Sequence, residues 1–488
     1  MKNKVQLITY PNSLGGNLKV LGKLLKDDFR DLFPGGLHIL PPFPSTGDRG
    51  FAPVTYREID PAFGSWHDIQ EIGKDFDVML DVMVNHISRH SEYFRDFVEH
   101  GRTSPYADMF ITLEKVWPDG NPLPDDVKKI FLRKPEHPFL DVDIKETGNV
   151  ERIWASFGPR VDHSEQVDLD VNSPLTRQFF LDLFLFLSKQ NINMIRLDAV
   201  AYAIKKRGTS CFMVEPEIYE FMGWLGEIAA RFHLELLPEV HTHYSTQMKI
   251  ASHGFWVYDF ALPMLILHTL VTGKSDKLLD HLAKCPHRQV TLLDCHDGIP
   301  VQPDLDGILT VEESKHLLDL CFERGANLNR ILSESARVPG FNAHQINLTY
   351  FDALGRDDDA YLAARAIQFF SPGIPQVYYV GLLAGENDYS VVETTGDGRA
   401  VNRKNFTEQE VIDALKKDIV QRLIRLIHFR NHHPAFNGKF SITRSEGAVF
   451  ALRWELGDQF CELSINLDNT YAEIAYTDED LQIQRYRI

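Results

Sequence analysis

Short apolar runs of strand length recur through roughly the first 400 residues, separated by longer segments whose apolar residues fall at helical spacing. That alternation is the signature of a parallel sheet buried on both faces by helices. The runs are Val5–Thr9, Gly36–Leu40, Val78–Val84, Met194–Leu197, Leu234–Leu237, Phe255–Tyr258, Gln289–Leu293 and Pro375–Val380. Eight of them predict an α/β fold of the (β/α)8 TIM-barrel type. Phe179–Leu187 is strongly apolar but interrupted by Asp182, and it is too short to span a bilayer, so it reads as a core helix. Over a hundred residues separate the third run from the fourth, including the Pro- and charge-rich stretch Trp117–Asp143. One crossover helix cannot use that much chain, which predicts an inserted subdomain over 87–166. A second excursion, after the seventh run and over 298–355, is marked by Pro300, Pro303 and a glycine-containing stretch around Gly340. Beyond about residue 435 the runs become short and alternating, as in Ala448–Trp454 and Gln459–Asn466, which predicts a small antiparallel β domain over 435–488. The barrel is then expected in three pieces, 1–86, 167–297 and 356–434.

With 488 residues, the chain exceeds the about 250–300 residues at which one core usually stops growing, in keeping with insertions and an appendix. Lys and Arg number 51 against 69 Asp and Glu, a net charge of −18 that repels nucleic acid and anionic membranes. An anionic substrate would need locally placed cations. The five cysteines Cys211, Cys285, Cys295, Cys321 and Cys461 show no C-x-x-C spacing and read as reduced structural thiols. The apolar run from Val5 to Tyr10 is too short for a signal-peptide core, so a cytoplasmic enzyme is expected. Oligomeric state is not legible.

Four of the predicted strands end in ionisable clusters: Val84-Asn85-His86, Arg196-Leu197-Asp198, Pro238-Glu239-Val240-His241 and Leu293-Asp294-Cys295-His296-Asp297. Strand ends of a barrel meet at one mouth, where catalytic residues sit. Any single Asp there could equally cap the following helix, a reading that four coincident clusters weaken. Paired carboxylates suit glycosyl transfer with retention, which wants them about 5–5.5 Å apart. Asp198, two residues after Arg196, shares its side of the strand, and the guanidinium favours an ionised nucleophile. Glu239 follows an apolar run on the next strand, which suits a protonated acid. His241 and His243 alternate like a metal-binding pair, but no third ligand lies nearby in sequence, and substrate-facing or satisfied histidines are the plainer reading.

These segments resemble the four signature regions of glycoside hydrolase family 13, the α-amylase family, at Asp81-Val82-Met83-Val84-Asn85-His86, Ile195-Arg196-Leu197-Asp198-Ala199-Val200, Leu237-Pro238-Glu239-Val240-His241 and Leu293-Asp294-Cys295-His296-Asp297. The resemblance implies Asp198 as nucleophile, Glu239 as general acid/base and Asp297 as a third carboxylate holding sugar hydroxyls. Nearly the whole chain resembles the sucrose phosphorylase branch, through Gln6–Tyr10, Gly47–Phe51, Gly208–Phe212, Tyr258–Pro263 and Pro375–Gly381. It implies a glucosyl site lined by Asp48, Phe51, His86, Arg196, His296 and Arg399, with Gln345 on the acceptor side. From spacing alone Asp48 reads as a turn residue and Phe51 as a core aromatic. The branch implies no metal and no cofactor, with inorganic phosphate as co-substrate.

The expectation is therefore a disaccharide phosphorylase working through a covalent β-glucosyl enzyme. A hydrolytic or transglucosylating α-glucosidase would share every catalytic residue, and a non-catalytic sugar-binding protein would not need all three carboxylates. Members specific for sucrose tend to read Asp-Leu-Tyr-Gln before a conserved Asn. Here the stretch is Asn342-Ala343-His344-Gln345, and it resembles the members acting on sucrose 6'-phosphate. His344, with Arg133 and Lys134 of the inserted segment, is the candidate phosphate and acceptor site, although a pair of solvated loop cations is the plainer reading of Arg133 and Lys134.

Overall fold

The computed structural model describes residues 1–330 and 341–488. The eight apolar runs are all strands: β1 (Gln6–Thr9), β2 (Leu37–Ile39), β3 (Val78–Met83), β4 (Ile192–Asp198), β5 (Glu235–Pro238), β6 (Val257–Asp259), β7 (Gln289–Thr291) and β8 (Ile374–Tyr378). They form one sheet in the order β6-β7-β8-β1-β2-β3-β4-β5, the strand succession of a (β/α)8 barrel. Its strands pair in parallel, for example with Gln6 beside Gln376 and Asp81 beside Arg196. Differences from the sequence reading are confined to strand ends: β4 runs on to Asp198 itself, and β6 ends at Asp259.

The described chain divides into two compact units, one of Met1–His38, His241–Arg330 and Ala343–Ile488, the other of Ile39–Val240 with Phe341 and Asn342. In the first, polar strand residues are satisfied by one another. The Gln376 amide donates to Gln6 Oε1 at 3.1 Å, and Gln368 reaches the Thr291 and Gln376 carbonyls. The helix Asp358–Phe370, capped by Asp357, is buried almost throughout. It carries Arg365, fully buried, whose guanidinium makes two contacts of 2.8 and 3.0 Å with Asp294 at the end of the β7 segment. The appended region is an antiparallel meander, β9 (Lys439–Glu446), β10 (Val449–Leu456), β11 (Gln459–Asn466), β12 (Tyr471–Thr477) and β13 (Ile483–Arg487), paired in chain order. Trp454 fastens it to the same helix by donating to the Phe370 carbonyl at 2.7 Å. Over 298–355 the structure shows a three-stranded sheet of Ile299–Pro300, Asn327–Arg330 and Ala343–Asn347; residues 331–340, including Gly340, lie outside the described residues.

In the second unit His86–Ser88 and Gln166–Asp168 pair antiparallel and close the segment between them into a loop. That segment has its own small core. Trp117 and Trp154 stack at 5.8 Å and 5°, and Phe139 meets both rings edge-on. Phe139–Asp143 and Val150–Trp154 make its hairpin. The apolar run at Phe179–Leu187 lies within the helix Pro174–Ser188, which starts with Ser173 as cap and Pro at its first position. Among the described residues no helix is long and apolar enough to cross a membrane.

One glycine follows directly from the buried ion pair. A Cβ at Gly381 would lie 1.9 Å from Arg365 and 2.3 Å from Asp294. Gly381→Ala must therefore break or displace a pair that has no solvent to move into, a loss of about 3–5 kcal/mol. Urea unfolding should show a markedly lower midpoint, and an unchanged midpoint would contradict this packing.

Candidate active site

Strand register places three carboxylates on one guanidinium. Arg196 and Asp198 stand two apart on β4 and so on one side of it, Asp81 is the register partner of Arg196 on β3, and Glu239 directly follows β5. Arg196 Nη1 contacts Asp81 Oδ1 and donates to Asp198 Oδ1 at 2.9 Å, while Nη2 lies 3.3 Å from Glu239 Oε1. Glu239 Oε2 also accepts from the Ala199 amide, which is presented by a residue in the left-handed region (φ 54°). The Phe51 ring lies 5.8 Å from the guanidinium. Two carboxylates on the two arms of one guanidinium are neighbours, as retaining transfer requires.

The charges do not balance if every group is ionised: one cation faces three anions in a buried setting. Burial raises the Asp198 titration to about 8, with Glu239 and Asp81 adding to the rise and Arg196 opposing it. Arg196 alone therefore does not hold Asp198 in the ordinary carboxylate range, as the sequence had suggested. The Asp198–Glu239 pair instead keeps one proton between its two members through neutral pH. One ionised and one protonated carboxylate side by side is that state.

His86 is buried, and burial pushes its imidazole down to about 4, so it is neutral. Its Nε2 donates to the Phe51 carbonyl at 3.1 Å. Phe51 is thus more than a core aromatic, since its carbonyl orients His86 and its ring faces Arg196. Asp48, exposed, begins a tight turn in which Asp48, Arg49 and Gly50 have φ of 24°, 49° and 113°. The turn reading holds for it, and the strained backbone is of the kind kept at binding sites. Beside His86, Asn85 Oδ1 and Asp168 Oδ2 each lie 2.7 Å from the ammonium of Lys205, which also donates to the Tyr202 carbonyl. The ammonium bridges these two side-chain oxygens.

In the other unit, Asp297 is ringed by cations. Arg399 Nη1 and Arg403 Nη2 lie 3.3 and 3.7 Å from Oδ1, and His296 Nε2 lies 3.8 Å from Oδ2. Burial alone would raise its carboxyl, but His296, Arg399, Arg403 and His241 together hold it well below the usual range. Asp297 is ionised under all working conditions and suits hydrogen bonding to sugar hydroxyls. Asp294 of the same motif is structural, paired with Arg365. His241 stacks on Phe260 with centroids 3.9 Å apart, while His243 caps the helix Tyr244–Ser252, so the two histidines have separate partners. Gln345, buried, places Nε2 3.4 Å from His241 Nε2, and His344 meets His241 edge-on at 5.7 Å.

The proposed phosphate contacts divide. Arg133 is half-buried at a wall of aromatic rings, 6.0 Å from Phe157 and hydrogen-bonded to the Tyr202 hydroxyl, whose titration burial raises to about 12. Lys134 is a correction. It is fully buried, and its ammonium donates to the Phe139 carbonyl at 2.8 Å, with burial lowering its titration to about 8. It is a strut of the inserted segment, not a solvated loop cation. His344 is buried with Nδ1 2.7 Å from the Gln302 carbonyl.

Sequence reasoning missed Asp81, Arg403, Lys205 and Asp168. Asp81 sat inside an otherwise apolar strand and was readable as anomalous; the others announce themselves through long-range contacts alone.

Residues 28–252 match the alpha amylase catalytic domain. The chain is 53% identical to sucrose 6(F)-phosphate phosphorylase of Thermoanaerobacterium thermosaccharolyticum, over 100% of both chains. It is 42% identical to sucrose phosphorylase of Streptococcus mutans, over 99% of both. The crystal structure of sucrose 6F-phosphate phosphorylase from Thermoanaerobacter thermosaccharolyticum superposes with a TM-score of 0.97 at 52% identity, covering 100% of this chain and 98% of that one.

A proton shared by two buried carboxylates sets an alkaline limit. Below the raised titration of about 8 the pair holds its proton, and above it both members ionise and the acid is gone. The pH profile of kcat/KM should fall as pH rises through that value. A rate still climbing well beyond it would contradict the shared proton.

Proposed function

The chain belongs to the α-amylase family, in its branch of disaccharide phosphorylases, and from this membership we propose that it transfers an α-glucosyl group from sucrose 6'-phosphate to inorganic phosphate with retention. The products are α-D-glucose 1-phosphate and fructose 6-phosphate. The observation that carries the chemistry is the shared guanidinium: Arg196 holds Asp198 and Glu239 side by side with one proton between them. Asp198 has the shorter contact with Arg196 and is the anion, so it attacks the anomeric carbon. Glu239 gives the proton to the departing fructosyl oxygen. The glucosyl ester on Asp198 is then opened by phosphate, with Glu239 taking back any proton that the incoming nucleophile carries.

Asp297 binds sugar hydroxyls as a fixed anion, and neutral His86, its Nε2–H given to the Phe51 carbonyl, lines the glucosyl site without adding charge. Asp48, Phe51, His296 and Arg399 complete the glucosyl site, and Gln345 the acceptor side. Inorganic phosphate is already ionised at working pH, so the second step asks for placement of an anion and exclusion of water more than for deprotonation. Carboxylate chemistry of this kind uses no cofactor.

Two features favour the phosphorylated donor: the 53% identity over the whole chain to an enzyme named for it, and His344 where sucrose-specific members carry a tyrosine. Arg133 is the second candidate cation for its phosphate. The burial of Lys134 favours plain sucrose as the second reading, since it removes one cation from the set. Charge-assisted hydrogen bonds are worth about 1.5–3 kcal/mol each, so one or two contacts give at least about tenfold discrimination. kcat/KM for sucrose 6'-phosphate, measured as glucose 1-phosphate formed, should exceed that for sucrose by at least this factor, and Arg133→Ala should narrow the gap. An equal or better value for plain sucrose would overturn the donor assignment, and glucose without glucose 1-phosphate would overturn the phosphorylase.

A further inference from the structure

Asp304 lies outside every signature segment. It is 2% exposed, and its Oδ2 is 3.3 Å from Nδ1 of His241, with the Thr242 backbone as a further partner. Burial raises its carboxyl titration while His241 opposes the rise. The other side of the same imidazole faces Gln345 at 3.4 Å. Gln345 is itself 2% exposed, and among the described residues its Oε1 is buried without a hydrogen-bond partner. An acid, an imidazole and an amide thus stand in a line that ends on a buried acceptor atom with unused capacity.

We propose that Asp304 is a positioning residue that acts through His241 to set which face of the Gln345 amide meets the incoming nucleophile, and so favours phosphate over a neutral hydroxyl. The inference rests on the phosphorylase reading, which puts Gln345 on the acceptor side. An ionised carboxylate can only accept, so His241 Nδ1 carries the hydrogen. In neutral His241, Nε2 is then an acceptor, the Gln345 NH2 turns to it, and the amide oxygen is left toward the ligand. That oxygen receives a hydroxyl but repels an anion. When His241 takes a proton from solvent, as an arriving phosphate encourages, Nε2 becomes a donor. The Gln345 amide rotates so that its oxygen accepts from Nε2–H, and its NH2 is offered to the phosphate. Asp304 stabilises the imidazolium and makes that state accessible.

The other groups against His241 are consistent with this switch. Phe260 stacks on one face and contributes no charge, the edge of His344 stands at 5.7 Å, and the carboxylates of Asp297 and of Glu239, two residues earlier in the chain, lie within 4.8 Å and favour the protonated ring when ionised.

The test reads partition rather than overall rate. α-Glucosyl fluoride loads the enzyme with little need for acid assistance, after which phosphate and water compete for the glucosyl group. In Asp304→Asn, fluoride release should stay within about twofold of the wild type. The phosphate concentration giving equal glucose 1-phosphate and glucose should rise about tenfold, a loss typical of one charge-assisted hydrogen bond. The wild-type dependence of that midpoint on pH between about 6 and 8, the range in which a histidine titrates, should flatten. Asp304→Glu should restore part of the partition. Should Asp304→Asn fail to fold, Asp304→Glu carries the test: a carboxylate set at a different reach from His241 must still shift the midpoint and its pH dependence, and values equal to the wild type overturn the proposal. An unchanged midpoint and pH slope, or a fall in fluoride release matching the change in partition, would overturn the proposal. Absence of glucose 1-phosphate from the wild type would instead overturn the phosphorylase reading on which it rests.

Discussion

Arg196 is shared by Asp81, Asp198 and Glu239 in a setting where the arginine and Asp81 are almost wholly removed from water. Buried ion clusters cost desolvation that their attraction repays only when geometry and protonation both cooperate. Here the geometry comes from strand register: β3 sets Asp81 beside Arg196, and β5 delivers Glu239 to the end of β4. The protonation follows from counting charges, since one cation cannot neutralise three anions and the pair nearest solvent keeps a proton. The proposed division between an acid and a nucleophile therefore follows from how the fold solves its own electrostatic problem.

Acids elsewhere in both units repeat that solution with other partners. Asp168 and Asn85 receive the ammonium of Lys205, Asp294 receives the guanidinium of Arg365, and Asp297 is surrounded by Arg399, Arg403 and His296. Each acid is assigned a cation, but not with the same result. Asp294 stays raised by burial despite its arginine, whereas several cations acting together hold Asp297 down. A chain with a net charge of −18 gathers more than one cation around a single acid only at Asp297 among these sites.

Much of this was legible in the chain. The eight barrel strands are continuous apolar runs because both of their faces are covered, and their ends differ from the sequence reading by two residues or so, since fraying ends carry no pattern. Asp198, Glu239 and Asp297 stood out as carboxylates at strand ends. What the sequence hid was the accounting between distant residues. Lys134 looks like a loop cation next to Arg133, yet the fold turns it inward onto the Phe139 carbonyl while Arg133 remains half-buried beside Phe157. Lys205 lies 120 positions from Asn85, a separation at which no periodicity connects them. Phe51 could be read as ordinary core because its carbonyl, the atom that orients His86, has no signature in a sequence.

The central claim is that Asp198 becomes covalently glucosylated because Arg196 and the shared proton leave it the anion of the pair. Brief reaction with α-glucosyl fluoride in the absence of phosphate, acid quenching and mass spectrometry of the proteolytic fragments tests this directly. The account predicts one added glucosyl unit on the peptide containing Asp198, lost when phosphate is supplied before the quench. A peptide mass unchanged under conditions of rapid turnover, or a glucosyl unit on Glu239 or Asp297 instead, would contradict it.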